Sequence, residues 1–155
     1  MKKTCLFLML ATVILFSSCK KDDVDYASAI VGSWKFSGYS AEVRINNNEI
    51  AKAVIKEKLE NRENTGADII TFTADNKFLA NSKEIGTYSI AGNKLTVTET
   101  DNGSVETVEL KISGNNLSVI SDMTVFYQAE LPYFGFELDS FIIQKLLLTT
   151  KYVKQ

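Results

Sequence analysis

Short runs of alternating hydrophobic and polar residues, separated by turn-forming residues, occupy most of the chain after Gly32. This period-two pattern predicts strands that each have one buried face. We predict eight strands, at residues 33–44, 68–74, 77–83, 85–90, 94–100, 104–112, 117–128 and 144–154. The only proline, Pro132, lies between the last two strands, where it interrupts no ladder. The even spacing indicates an antiparallel up-and-down meander.

Turn residues set the register of these strands. Gly92-Asn93, Asn102-Gly103 and Gly114-Asn115 suit two-residue hairpin turns, because Gly and Asn tolerate positive φ. The predicted opposing pairs are Ile90 with Leu95, Tyr88 with Val97, Leu95 with Leu110, Val97 with Val108, Leu110 with Val119 and Ile112 with Leu117. A further loop at 75–77 is predicted to put four apolar residues on one side of the sheet: Ile70, Phe72, Phe78 and Ala80. All of these pairs share one apolar face, which a sheet hides by closing on itself. We therefore predict an all-β fold, an eight-stranded antiparallel up-and-down β-barrel.

One helical segment interrupts the strands. Its apolar residues follow helical spacing: Ile50, Ala51, Val54, Ile55 and Leu59. Asn46 with Glu49 has the spacing of a capping box, and Gly66 suits a C-terminal stop. We predict one helix near 47–63, between strands 1 and 2.

Several motifs resemble a known family. They are Gly32-Ser33-Trp34, Ile69–Phe78, Gly86-Thr87-Tyr88-Ser89-Ile90 and Lys151-Tyr152-Val153-Lys154. In this order they resemble bacterial lipocalin-like domains and cover most of residues 30–154. The resemblance implies a lipocalin-like barrel that binds a small apolar molecule. Lipocalins place a late arginine over the tryptophan, so Lys151 or Lys154 would have to take that role here, and the helix is similar to the lid of fatty-acid-binding proteins.

The first residues have the pattern of an export signal. Lys2 and Lys3 precede an apolar run from Cys5 to Phe16, which would reach only about 18 Å as a helix, too short to span a bilayer. Ser17-Ser18-Cys19 resembles a bacterial lipobox, although an ordinary signal followed by a chance cysteine would look the same. We predict a lipoprotein signal peptide at 1–18, a charged tether at 19–29 acylated (for example with palmitate) on Cys19, and the barrel domain at 30–155.

The tether favours the outer membrane, on its periplasmic or cell-surface face. Cys19-Lys20-Lys21-Asp22-Asp23 resembles the surface-export signal of lipoproteins from one group of Gram-negative bacteria, and a solvated spacer explains it equally well.

Composition removes several function classes. Without the leader the chain has 15 basic and 19 acidic residues, a net charge of −4, which argues against a nucleic-acid partner. It has no histidine, and Cys19 is its only remaining cysteine. Zinc sites, histidine triads, cysteine nucleophiles and disulfides therefore lack their usual residues, and we predict no cofactor and no metal.

The open end of the barrel holds the polar candidates for a site. Trp34 begins strand 1 at the floor, so the helix, the Asn102-Gly103 turn and segment 129–143 lie at the opposite end. The predicted register makes Glu99 face Glu106, which destabilises a hairpin unless a cation or water intervenes. Lys58 and Arg62 on the helix are candidates to neutralise them. Either this cluster binds a ligand head group, or the strands extend past the barrel and the glutamates are solvated.

Aromatic residues form the second candidate group. Tyr133, Phe134 and Phe136 belong to segment 131–143, which forms a lid, a partner-binding surface or, most simply, a plug in the barrel end. Phe72, Tyr88 and Tyr127 are expected inside the barrel with Trp34, as ligand contacts or as core packing that needs no ligand.

Three functions remain open. The leading hypothesis is a membrane-anchored lipocalin-like lipoprotein that binds a small, mainly apolar ligand in or at the mouth of the barrel. The alternative is a non-catalytic accessory protein that has a filled barrel and a protein partner in the cell envelope. The third is a carboxylate-based hydrolase using Glu99 and Glu106, and we predict that the protein is not an enzyme.

Overall fold

The computed structural model describes residues 24–138 and 140–155, and the predicted signal peptide and Cys19 lie outside them. Eight strands and three short α-helices follow one another along the chain. The elements are α1 Tyr26–Ile30, β1 Gly32–Ile45, α2 Glu49–Glu60, β2 Ile69–Phe72, β3 Lys77–Ala80, β4 Lys83–Ala91, β5 Lys94–Glu99, β6 Val105–Ser113, β7 Asn116–Asp122, α3 Thr124–Ala129, a 3₁₀ turn Leu131–Phe134 and β8 Ile143–Lys154. No helix within the described residues is long and apolar enough to cross a bilayer.

The strands close into a barrel in sequence order, with each strand antiparallel to the next and β8 pairing back onto β1. This confirms the predicted all-β, eight-stranded up-and-down barrel with a helix between strands 1 and 2. Closure pairs the two edge strands with each other, so the single apolar face becomes the interior.

Two of the three hairpin turns have the predicted register. The turn at Gly92 pairs Tyr88 with Val97, and the turn at Gly114 pairs Leu110 with Val119. Both glycines have positive φ, at 59° and 56°. Ile70, Phe72, Phe78 and Ala80 share one side of the sheet, as predicted, in the pairs Ile70–Ala80 and Phe72–Phe78.

The prediction of a two-residue turn at Asn102-Gly103 is wrong, because a longer loop, residues 100–104, joins β5 to β6. The Asn102 side chain donates to Glu99 Oε2 (3.0 Å) and accepts from the Ser104 N–H (2.6 Å), which holds the wider loop closed. The register therefore shifts by two residues, so that Leu95 faces Val108. A shift of two leaves every side chain on its predicted face.

A β-bulge in β1 changes which residues point inward. The register against β8 shifts between Phe36 and Gly38, and Gly38 has a φ of 137°. Below the bulge Trp34 points inward, whereas above it Tyr39, Ala41, Val43 and Ile45 are the buried positions. The extra residue bends the long strand, so that its two halves serve two different cores.

Helix α2 lies where strand β2 does not reach. β2 pairs only with Gly32–Lys35, and the Ala41 N–H instead donates to Glu60 Oε1 at the end of α2 (3.1 Å). The helix buries Ala51, Ile55 and Leu59. The predicted helix is confirmed within narrower bounds. The Asn46–Glu49 capping box is wrong, since Asn48 caps the helix through the Ala51 N–H (2.9 Å), and the helix stops at Asn61 rather than Gly66.

The predicted strand 117–128 is wrong in its second half. The Asp122 carboxylate accepts a hydrogen bond from the Thr124 N–H (3.0 Å), and α3 begins there. Tyr127 therefore lies on a helix above the barrel and not on a strand inside it. With Leu131, Phe134 and the buried face of α2, it forms an upper core against β1 and β8.

Helix α1 packs against the floor of the barrel and covers it. Trp34 is fully buried, and its indole N–H donates to the Ile30 carbonyl oxygen (2.7 Å). The Lys154 ammonium lies 5.1 Å from the centre of the Trp34 ring. Lys154, rather than the exposed Lys151, thus takes the place expected of a late arginine, and residues 26–30, most of which the sequence assigned to the tether, are a helix packed on the floor.

Candidate functional site

A cavity of about 180 Å³ lies inside the lower half of the barrel. Its wall is formed by inward-facing side chains of β2, β3, β5, β6, β7 and β8 and by one residue of the loop 100–104. They are Ile70, Phe72, Phe78, Leu95, Val97, Glu99, Ser104, Glu106, Val108, Val119, Ser121 and Tyr152. The deeper wall is apolar, and Phe72 stacks on Phe78 with ring centres 5.1 Å apart.

The polar lining residues mark the open end of this cavity. Glu99 ends β5, Ser104 lies in the following loop, Glu106 begins β6 and Ser121 lies near the end of β7. All four are at the end of the barrel opposite α1. The cavity therefore opens away from the floor, beside the loop 100–104.

Three of the predicted site residues line the cavity: Phe72, Glu99 and Glu106. Sequence reasoning missed Val97, Val108 and Val119 as site residues, although their inward direction follows from the predicted pairing. It also missed Tyr152, because the motif 151–154 was interpreted only for its two lysines. The strand period gives the direction of a side chain, but it does not show where the interior is left empty.

The predicted direct opposition of the two glutamates is wrong. Glu106 faces Val97, while the Glu99 N–H donates to the Ser104 carbonyl oxygen (2.9 Å). Glu99 and Glu106 are therefore diagonal neighbours on the inner face, at a typical separation of about 7–8 Å. This spacing leaves room for a group between the two carboxylates.

The predicted neutralisation by Lys58 and Arg62 is also wrong, because both side chains contact tyrosines instead. Lys58 Nζ donates to the Tyr133 carbonyl oxygen (3.1 Å). The Arg62 guanidinium lies 4.2 Å from the centre of the Tyr39 ring and donates to the Tyr127 hydroxyl (3.2 Å). Lys58 thus connects α2 to the 3₁₀ turn, and Arg62, just after α2, contacts β1 and α3.

Arg62 is partly enclosed by these contacts. Burial lowers the pKa of its guanidinium, but interactions with the side chains of Tyr39 and Tyr127 outweigh burial and raise the pKa above its ordinary value. Arg62 Nε is buried and has no hydrogen-bond partner among the described residues. Arg62 therefore stabilises the upper core and is not part of the cavity lining.

Some apolar residues of segment 131–143 are buried in the upper core, and others are exposed to solvent. Phe134 is buried in the upper core with Leu131, and Phe136 packs edge-on against Phe141 at 5.1 Å. Tyr133, by contrast, is 59% exposed. The simplest expectation, a plug, therefore holds for Leu131 and Phe134, while other apolar residues of this end remain in contact with solvent.

Two tyrosines of the lower barrel differ in their role. The Tyr88 hydroxyl donates to the Thr73 carbonyl oxygen (2.8 Å), and Tyr88 is core packing outside the cavity wall. Tyr152 lines the cavity, where burial above all, and then the nearby Tyr39, raise its pKa to about 12.

The raised pKa of Tyr152 predicts a loss of stability in alkali. The folded state holds the Tyr152 proton up to about pH 12, whereas an unfolded tyrosine releases it near about pH 10. The protonated Tyr152 side chain contributes to the free energy of unfolding. This contribution is fully present below pH ~10 and is lost as pH rises toward 12, which lowers the free energy of unfolding by about 2–3 kcal/mol. Urea unfolding at pH 9 and pH 11 should show a smaller loss in Tyr152→Phe than in the parent protein. Tyr133→Phe, an exposed control, should behave like the parent, and equal losses in all three proteins would contradict the prediction.

The predicted hydrolase alternative rests on Glu99 and Glu106. Glycoside hydrolysis needs paired carboxylates and also hydrogen-bonding partners for the sugar hydroxyls. Behind Glu99 and Glu106 the wall is apolar. Among residues 24–138 and 140–155, no three His, Cys, Asp or Glu side chains lie together in a way that could hold a metal ion.

A closed eight-stranded antiparallel barrel with an apolar cavity open at one end has the architecture of the up-and-down β-barrels, a class that includes the lipocalins. A family profile described as "Lipocalin-like domain" matches residues 30–119, more than half of the chain, and the chain belongs to this family. The fold of this family fits a small-ligand-binding role and is typically non-enzymatic. A comparison with curated proteins gave no match.

Proposed function

We propose that this protein binds a small, mainly apolar molecule in the cavity of its barrel. The observation that carries the proposal is the apolar wall of Val97, Val108 and Val119 around about 180 Å³ of empty space. Apolar cavities of about 150 Å³ take up benzene-sized molecules, whereas drug-sized ligands need roughly 300 Å³ or more. The expected ligand is therefore one ring or a short chain, held mainly by burial of apolar surface.

The test fills the cavity and compares binding before and after. Val108→Phe places a larger side chain in the wall, and Val105→Phe makes the same change at an exposed position on the same strand. We expect the purified protein to bind toluene in an NMR titration, Val108→Phe to bind it at least about tenfold more weakly, and Val105→Phe to bind it normally. Undetectable binding by the parent protein, or unchanged binding by Val108→Phe, would overturn the proposal.

We also propose that the protein is held on the outer membrane by acyl chains on Cys19. The support is the lipobox-like sequence together with the position of α1, which brings the chain into the barrel at the floor. With the anchor at that end, the cavity opens toward the aqueous side, on either the periplasmic or the cell-surface face. Stable attachment needs more than one acyl chain, since a single chain binds membranes only marginally.

Replacing the anchor residue tests this directly. In Cys19→Ser we expect the protein to move from the membrane fraction to the soluble fraction and to lose the acyl mass from its N-terminal peptide. Cys5→Ser changes a cysteine of the leader and should leave both properties unchanged. A Cys19→Ser protein that stays in the membrane fraction would refute the anchor.

A second candidate function is that of an accessory protein with a partner in the cell envelope. It is favoured by apolar side chains exposed at the open end, where Val125 is 85% and Ile142 73% exposed. Leu138, which is 59% exposed, lines the same groove as Val125 and Ile142, and Phe126, the next residue of α3, is 55% exposed. A photo-reactive residue in place of Phe126 should then capture one defined envelope protein, and the same probe at Val153, near the floor, should not. Equal capture at both positions would refute this function.

A further inference from the structure

We propose that the ligand of the barrel cavity is a small organic cation, an amine with an apolar body whose ammonium group is held by Glu99 and Glu106. This inference rests on the proposed function, because it specifies the chemistry of the molecule that enters the cavity. The apolar wall would bury the body of the amine, and the two carboxylates would bind its charged end.

The charges around the cavity are all of one sign. Among the described residues, Glu99 and Glu106 are the charged groups of the lining, and the other polar groups there are the hydroxyls of Ser104, Ser121 and Tyr152. The two carboxylates lie on one face of neighbouring strands as diagonal neighbours. Their diagonal arrangement provides a gap in which an ammonium could contact both.

The ion pairs found among the described residues do not include the cavity glutamates. Their acidic partners are Glu42, Glu49, Glu60 and Glu84. Glu99 accepts only a neutral hydrogen bond, from Asn102. Lys145 borders the outer groove beside Glu106, but its ammonium lies 3.7 Å from Glu42. Both glutamate side chains are exposed at the cavity mouth, where a cationic ligand would meet two carboxylates that form no ion pair among the described residues.

The shape of the cavity limits the size of the amine. About 180 Å³ holds roughly eight to ten non-hydrogen atoms, the size of a phenyl ring with a short side chain. The stacked pair Phe72–Phe78 offers aromatic surface to such a ring, and Tyr152 belongs to the same lining. Long-chain lipids, nucleotides and sugars do not fit this combination of small volume and apolar depth.

Three probes of nearly equal size separate charge from apolar burial: benzylamine, which is cationic at pH 7, neutral benzyl alcohol, and anionic benzoate. We expect NMR titrations of the purified protein to show benzylamine binding at least about tenfold more tightly than benzyl alcohol, with benzoate weakest. In Glu99→Gln/Glu106→Gln, and to a smaller extent in Glu106→Gln alone, benzylamine should lose this advantage while benzyl alcohol binds as before. Glu109→Gln removes the same charge from the outer face of β6 and should leave all three affinities unchanged.

The outcomes distinguish this inference from the function on which it rests. Equal binding of benzylamine and benzyl alcohol, or tightest binding of benzoate, would overturn the inference and leave the cavity as a binding site for neutral molecules. Loss of the advantage in Glu109→Gln would overturn it too, because the effect would then be a general one of net charge. Absence of binding by every probe would overturn both the inference and the proposed function.

Discussion

Replacing Trp34 with alanine is expected to lower the free energy of unfolding by about 3–5 kcal/mol. The side chain is fully buried at the floor, so the change leaves a large hole under α1. It also removes the hydrogen bond to the Ile30 carbonyl oxygen and the ring over which the Lys154 ammonium lies. Since small domains are stable by only about 5–15 kcal/mol, this loss takes up a large part of the total.

Urea unfolding followed by far-ultraviolet circular dichroism is the measurement, because Trp34 is the only tryptophan and its fluorescence is lost in the variant. Trp34→Phe keeps much of the volume and loses the hydrogen bond, so it should cost clearly less. Phe126→Ala removes an aromatic side chain that is 55% exposed on α3. A Trp34→Ala variant as stable as Phe126→Ala would show that the floor does not hold the barrel together.

Replacing Gly86 with alanine is the second change with a large expected effect. A Cβ atom at this position would collide with the carbonyl oxygen of Thr98, which is backbone of the neighbouring strand β5. A backbone atom in a paired ladder cannot turn aside as a flexible side chain can, so β4 and β5 must separate locally. We expect a loss of about 1–3 kcal/mol in the free energy of unfolding, the usual cost of overpacking.

The same change should also affect the cavity, because Glu99 is the direct partner of Gly86 across the β4–β5 ladder. Displacing the end of β5 moves this carboxylate at the mouth, and binding of small molecules in the cavity should weaken together with stability. Gly66→Ala is the matched control, since its new Cβ would make only an ordinary contact, 3.5 Å from Asn64 Oδ1. It should change stability by less than about 0.5 kcal/mol, and a Gly86→Ala protein that behaves the same way would contradict the clash.

The difference between the correct and the incorrect registers has a local cause. At Gly92 and Gly114 a glycine with positive φ lets the chain reverse in two residues. At Asn102 the side chain bonds to Glu99 and to the Ser104 backbone, which stabilises a wider loop. Side-chain to backbone hydrogen bonds of asparagine are short-range, but the sequence does not show which of two allowed loops they stabilise.

The candidate site was predictable only in part for a similar reason. Glu99 and Glu106 point inward by the period of two, and a register shift of two residues preserves that direction. Lys58 and Arg62 do not contact the cavity, because their positions depend on the path of α2 along β1. The short β2 and the hydrogen bond from the Ala41 N–H to Glu60 set that path. That path is a matter of packing between distant segments, which no local pattern encodes.

The sequence by itself determined the features that depend on neighbouring residues: the strand period, two tight turns, one amphipathic helix and the single apolar face that makes eight strands close into a barrel. Only the tertiary structure decided where the barrel is filled and where it is empty. It assigned Tyr127 and Arg62 to the upper core and left the space between Phe78, Val108 and Tyr152 open. Cavities arise from the sum of side-chain volumes brought together from many strands, so their position is a property of the closed barrel as a whole.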